Sequence, residues 1–268
     1  MASIHWKYYS PTLKTRTDLR VLLPTPQPPA DCETEALPAL FAAPGEKLPV
    51  LYLLHGTYGD EGDWQRFSRI EDYVRGWNLI VVMAGAGNHC YRNGPGGAFD
   101  TFFAEELPAL LRWALPVSDR REDTFIGGLS MGGSGALALS LRHPERYSRA
   151  ICLSGAYGEI LRQVEAGPTV WSNAFAPGEA VVGGPDDPYV LAEQAAARGG
   201  PRPALYLACG TEDFLYGHNC RFHDHLTRLG YDHQFHTRPG VHNWDFWDPE
   251  LRRALAWLPV RRLEAPAF

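Results

Sequence analysis

The stretch Phe125-Ile126-Gly127-Gly128-Leu129-Ser130-Met131-Gly132-Gly133-Ser134-Gly135-Ala136-Leu137 sets five glycines around one serine, between an apolar run and a helix-like run. Glycine loses more backbone freedom on folding than any other residue, so this density is unfavourable unless close packing requires it. The steric reading is a sharp corner: a strand over Thr124–Leu129, a turn at Ser130 and a helix opening at Met131. Gly128 and Gly132 flank the serine at two residues' distance, the G-x-S-x-G pattern, where side chains would crowd the corner. Gly133 and Gly135 are expected to let the helix pack closely on the sheet. A phosphate loop would need G-x-x-x-x-G-K-[ST], and no lysine is present here.

The rest of the chain supplies a frame for that corner. Nearly continuous apolar runs read as strands at Leu19–Leu23, Pro49–His55, Leu79–Ala84, Arg149–Ser154, Ala204–Cys209 and His233–His236. Helix-like runs fall between them at Trp64–Arg75, Phe99–Ala114, Met131–Arg142, Val190–Arg198, Asn219–Leu229 and Pro249–Leu258. This alternation predicts an α/β fold, a mostly parallel twisted sheet with helices on both faces. Pro24–Pro49, rich in Pro and Ala, reads as an irregular connection. Residues 155–203, rich in Gly and Pro, read as a cap-like insertion over the carboxyl edge of the sheet, within one domain spanning 1–268.

Composition narrows the function. A net charge of -6 and no basic block argue against a nucleic-acid partner. No apolar run approaches the ~18 residues of a membrane span. The opening lacks the apolar region of a secretory signal. Five cysteines, an odd number at irregular spacing, give no disulfide framework, and a cytoplasmic setting is expected.

A serine at such a corner is a nucleophile only with a base, and the base needs an orienting carboxylate. In this kind of fold the order is Ser, then Asp or Glu, then His. Asp213 follows the strand ALYLACG, and His242 lies in the Pro/Gly loop after the last strand, so both fall at carboxyl ends of strands. Glu212 is the nearest rival to Asp213, and Asp187 a weaker one; Asp245 and Asp248 are assigned to the final helix. His233 and His236 fall within the last strand. His218, His223, His225 and Cys220 show no metal-ligand spacing, so no metal is assigned. The oxyanion of an acyl-transfer transition state needs two donors. Met131 N–H, next to the nucleophile, is one; Thr57 N–H, in the turn His55-Gly56-Thr57-Tyr58-Gly59, is the other.

With LYLLHGTYGDEGDW, GLSMGGSGA, LYLACGTEDFLY and PGVHNWDFW in this order, the chain resembles the esterase D-like branch of the α/β-hydrolases, most of all bacterial tributyrin esterases and acetylesterases. The opening WKYYSPTLKTRTDLRVLLP is similar to that group's first hairpin. The resemblance implies a cofactor-free serine carboxylesterase acting on short acyl esters, acetyl to butyryl, and often homo-oligomeric. It carries over Ser130, Asp213 and His242 as the catalytic triad, with Thr57 and Met131 as the oxyanion pair. The chain departs from the pattern at Ala84-Gly85-Ala86-Gly87 and at Ala98-Phe99-Asp100, beside the pocket.

Substrate-binding candidates are Trp171 and Phe175 from the insertion, and Tyr58, Tyr91, Asn93 and Trp244 from nearby loops. Two other readings stay open. An S-formylglutathione hydrolase or other thioesterase would use the same triad, and Arg66, Arg69 or Arg92 could meet the glutathione carboxylates. A non-catalytic binding protein on a hydrolase scaffold is the other.

Overall fold

The computed structural model describes residues 1–26, 33–36 and 45–262. Cys32 and most of the Pro24–Pro49 connection lie outside the described residues.

Eight strands form one twisted sheet in the order β1-β2-β4-β3-β7-β8-β9-β10. The hairpin β1 (Ala2–Ser10) and β2 (Thr15–Leu23) is antiparallel and docks antiparallel on β4 (Ile80–Ala84). From β4 onward every pairing is parallel: β3 (Val50–Leu54), β7 (Thr124–Leu129), β8 (Arg149–Leu153), β9 (Ala204–Gly210) and β10 (His233–Arg238). A two-residue ladder, β5 (Asn93–Gly94) with β6 (Gly97–Ala98), stands apart.

Alternate residues of the central strands enter two cores, as a two-residue side-chain period requires. Tyr52, Val82, Ile126 and Cys152 face one core, with Phe102, Leu107, Leu137, Leu191 and Phe222 from the helices. Leu53, Val81, Phe125 and Ile151 face the other, with Trp64, Ile70, Val74, Phe246 and Leu251. Helices thus cover both faces, and the strands read as continuous apolar runs because both of their sides are buried.

Several boundaries differ from expectation. The Trp64–Arg75 run splits into α1 (Asp63–Phe67) and α2 (Ile70–Val74). Ser68 divides them: its backbone turns extended, its Oγ donates to Trp64 O (2.5 Å), and it accepts from Ile70 N–H (3.3 Å). Helix α3 is Phe99–Thr101, a π-type stretch Phe102–Glu106 and Leu107–Ala114 without a break. Helix α4 is Met131–Arg142, as read. The 155–203 segment, expected to be irregular before Val190, contains α5 (Glu159–Ala166) and then α6 (Pro188–Ala197). Helix α7 is Tyr216–Arg228. The last helix, α8 (Trp244–Trp257), begins five residues before the proline expected to open it. Asn243 rather than Asp245 or Asp248 caps it, accepting from Phe246 N–H (3.3 Å). Pro249 has no N–H for the carbonyl of Asp245, which accepts from Arg238 Nη2 instead (3.4 Å).

Candidate active site

Ser130 sits between β7 and α4 with φ 54° and ψ -118°, a conformation non-glycine residues avoid. The glycines make it possible. A Cβ on Gly128 would lie 2.3 Å from Gly132 O, and one on Gly132 would lie 2.5 Å from both Leu54 O and His55 O. Gly133 packs on the end of β8, where a Cβ would reach Leu153 O at 3.0 Å. Gly135 differs from expectation: it makes room for the Tyr91 ring (2.3 Å), not for the sheet. Ser130 N–H donates to Leu153 O (2.8 Å), so the corner is tied into the neighbouring strand.

The structure brings Ser130, His242 and Asp213 into one hydrogen-bonded line. His242 Nδ1 lies 2.8 Å from Asp213 Oδ2, and His242 Nε2 lies 3.0 Å from Ser130 Oγ. An ionised carboxylate only accepts, so Nδ1–H donates to Asp213 and Nε2 is left to accept the serine proton. Asp213 is buried, which by itself would push its carboxyl up. Hydrogen bonds from His242, from Leu215 N–H (2.8 Å) and from Ser154 outweigh that and hold it below the usual range. Glu212, the rival, points elsewhere and accepts from Gly240 N–H. Asp187 caps α6 through Tyr189 N–H (2.9 Å). Phe214 lies on one side of the His242 ring (4.6 Å between centroids) and Trp247 meets it edge-on at 4.8 Å, which fixes the imidazole plane.

The turn after β3 is ordered by His55. Ala86 N–H donates to His55 Nε2 (2.9 Å), so the ring proton is on Nδ1, which donates to Gly56 O (2.7 Å). Burial lowers the His55 pKa and keeps the ring in this neutral form. Gly59 N–H also donates to Gly56 O (3.2 Å). A trans peptide points its C=O and N–H in opposite directions, so pinning Gly56 O aims Thr57 N–H the other way. Tyr58 takes φ 66°, and its N–H is held by Asn88 Oδ1 (2.9 Å). Gly56 is needed for contact more than for turning, since a Cβ there would meet Leu129 Cδ1 at 2.7 Å. Met131 opens α4, so its N–H is among the helix's unpaired donors, beside Ser130.

A cleft of about 340 Å³ opens over Ser130 and His242. Of the six substrate-binding candidates, Tyr58, Trp171 and Trp244 line it. Tyr91, Asn93 and Phe175 do not. Tyr91 is fully buried and its hydroxyl donates to His55 O (2.8 Å). Asn93 bonds Thr101 through both its carbonyl and its amide. Phe175 packs under the Arg92 guanidinium, 4.4 Å from its ring centroid. The reading missed Asp63, Ile160, Phe214 and Trp247, which all line the cleft. A helix start at Asn243 would have placed Trp247 one turn in, beside His242. Arg92 is buried in ion pairs with Glu179 and Asp186, and Arg69 pairs with Asp72. Arg66 is held by Asp60 and Asp63.

The chain matches known proteins along nearly its whole length. The esterase family model, described as "Putative esterase", matches residues 33–258. An acetyl esterase of Caldicellulosiruptor saccharolyticus is 30% identical over 270 residues, covering 96% of this chain and 98% of the relative. The fluorophosphonate-binding serine hydrolase FphF of Staphylococcus aureus, solved with substrate bound, superposes with a TM-score of 0.84 at 31% identity, over 96% of this chain and 98% of that one. The S-formylglutathione hydrolase FrmB of Staphylococcus aureus, solved as apoenzyme, gives a TM-score of 0.81 at 31% identity over the same shares, 96% and 98%. No helix among the described residues is long and apolar enough to cross a membrane. The chain belongs to this esterase family and is a serine carboxylic ester hydrolase with the α/β-hydrolase fold.

Proposed function

We propose that the protein hydrolyses short-chain acyl esters, acetyl to butyryl, of uncharged alcohols, through an acyl-enzyme on Ser130. The observation that carries this is the line Asp213–His242–Ser130 at 2.8 and 3.0 Å, set in a small cleft with five aromatic side chains and no Arg or Lys in its lining. Ser130 Oγ attacks the ester carbonyl as His242 Nε2 takes its proton. Asp213 holds the tautomer and stabilises the imidazolium. Met131 N–H and Thr57 N–H hold the oxyanion, a contribution of about 3 kcal/mol each in this chemistry. The alkoxide leaves with the proton from His242, and water repeats the sequence on the acyl group.

The 155–203 segment acts in this reading as a cap belonging to a single domain. Helix α6 places Leu191, Ala192 and Ala195 in the same core as the central strands, while Ile160 and Trp171 line the cleft. The acetyl esterase relative supports the acyl preference. The thioesterase alternative draws support from FrmB, but a glutathionyl group brings two carboxylates. Besides His242, the lining residues that carry charge at neutral pH are Asp63 and Glu159, both acidic, which disfavours such a leaving group.

The test is a ladder of p-nitrophenyl esters from acetate to octanoate, with S-formylglutathione alongside. kcat/KM highest at acetate or butyrate and falling by octanoate supports the reading. An optimum at octanoate, or S-formylglutathione turned over faster than any ester, overturns it.

A further inference from the structure

We infer that Trp171 is a positioning residue for the oxyanion loop, holding Thr57 through its side chain from the cap; this rests on Thr57 N–H being an oxyanion donor. Trp171 Nε1–H donates to Thr57 Oγ1 (3.1 Å), a contact between residues 114 apart in the chain. On its other side the loop is tied to the sheet layer by His55 and Asn88. Among the described residues, Trp171 is the only side chain of 155–203 hydrogen-bonded to the turn 55–59. The turn carries strain at Tyr58 and that residue is 78% exposed, so packing there does little to fix the backbone. A second anchor on Thr57 therefore has a conformation to hold.

Trp171 is itself held from the nucleophile's side. Its carbonyl accepts from Ala174 N–H (2.8 Å), closing a short turn. Gly96 N–H donates to Asn173 O in that turn (2.9 Å), and Arg92 Nη1 donates to Ala174 O. Arg92 Nε then donates to Asp186 Oδ2 (2.6 Å), and Asp186 Oδ1 pairs with Arg142, the last residue of the nucleophile helix α4. Arg142 also reaches Asp100 in α3 (2.8 Å). Direct contacts thus run from the far end of the helix that begins just after Ser130, through the cap, to the loop that carries Thr57. Both halves of the oxyanion site are referenced to one another by this path. Displacing a reacting group by about 1 Å costs on the order of a hundredfold in rate, so even a slack loop is felt in catalysis.

Trp171 also lines the cleft, so the test must separate holding from lining. Trp171→Phe keeps an aromatic face and removes the indole N–H. Thr57→Val keeps the shape and the backbone N–H and removes Oγ1. Each is expected to lower kcat on p-nitrophenyl acetate about tenfold with KM nearly unchanged, the signature of an interaction felt in the transition state. The double variant is expected to lose no more than either single, because both break one bond. Near-ultraviolet circular dichroism and thermal unfolding show that each variant is folded. Wild-type kcat in Trp171→Phe, a change in KM alone, or additive losses in the double variant overturn the inference. Ser130→Ala in the same assay keeps the two claims apart. If it is inactive while Trp171→Phe is unimpaired, only the positioning role fails. If Ser130→Ala stays active, the reading beneath it fails.

Discussion

Gly128 and Gly132 hold Ser130 in place by having no side chain, whereas Arg92 and Asp186 hold the turn at Trp171 in place by having charged ones. The first device is steric. Its partners are backbone atoms of neighbouring elements, and any Cβ collides with them. The second is electrostatic. Its partners come from α3, α4, the loop after β4 and the 155–203 segment, and they are held by matched charge in a partly buried setting. Backbone sterics tolerate no adjustment, while ion pairs help dock a surface segment whose own apolar cluster is small, Leu161, Ala174, Phe175 and Val181. Ser130 is thereby fixed by the corner itself, and the turn at Trp171 is fixed relative to it.

The contrast is broken most severely at the corner. Gly132→Ala places a methyl 2.5 Å from two carbonyl oxygens. The expected result is a loss of more than about 3 kcal/mol in a urea titration, or no folded protein at all. A stability near wild type would mean that the corner can open, and that the glycine is not sterically required. Arg92→Met is the corresponding change under the turn at Trp171. It leaves Glu179 without a cationic partner while Asp186 keeps Arg142, for an expected cost of about 2 kcal/mol. Activity at low temperature is expected to fall less than in Gly132→Ala, because Ser130, His242 and Asp213 keep their contacts. The smaller effect concerns pH. Asp100 is partly buried, which by itself raises its carboxyl, but His143 and Arg142 outweigh that and lower it. A lowered carboxyl contributes stability above its ordinary range, and the contribution is lost as pH falls through the lowered value. The stability difference between wild type and Asp100→Asn should therefore shrink as pH is lowered from about 5 through the ordinary aspartate range toward about 3. A difference that grows over that range would contradict the ionised assignment.

The same contrast explains what could be read from the sequence. Ser130, Asp213 and His242 each occupy a loop at the carboxyl end of a recognisable strand, and a local pattern marks each position. Helix α4 was legible to the residue because its glycines and the preceding strand define both of its sides. The cap was not. Arg92 meets Ala174 and Asp186 across 82 and 94 residues, and no local spacing encodes that. The aromatic candidates show the same limit. Residue type says that Tyr91 and Trp171 will be largely buried, but not which way they face. Tyr91 turned into the core to support His55, and Trp171 turned to the cleft. The split of α1 from α2 rests on one serine hydroxyl, and the early start of α8 on Arg238 reaching a carbonyl that Pro249 leaves free. Both are satisfied hydrogen bonds that appear only once the elements have been assembled.

The central claim is that Ser130 carries the acyl group. The most direct measurement is kcat on p-nitrophenyl acetate for wild type and Ser130→Ala, with intact mass spectrometry after a fluorophosphonate reagent. The account predicts a loss in kcat on the order of a millionfold, and one adduct on wild type that is absent from the variant. Turnover near the wild-type rate in Ser130→Ala, or an adduct that persists in it, would contradict the account.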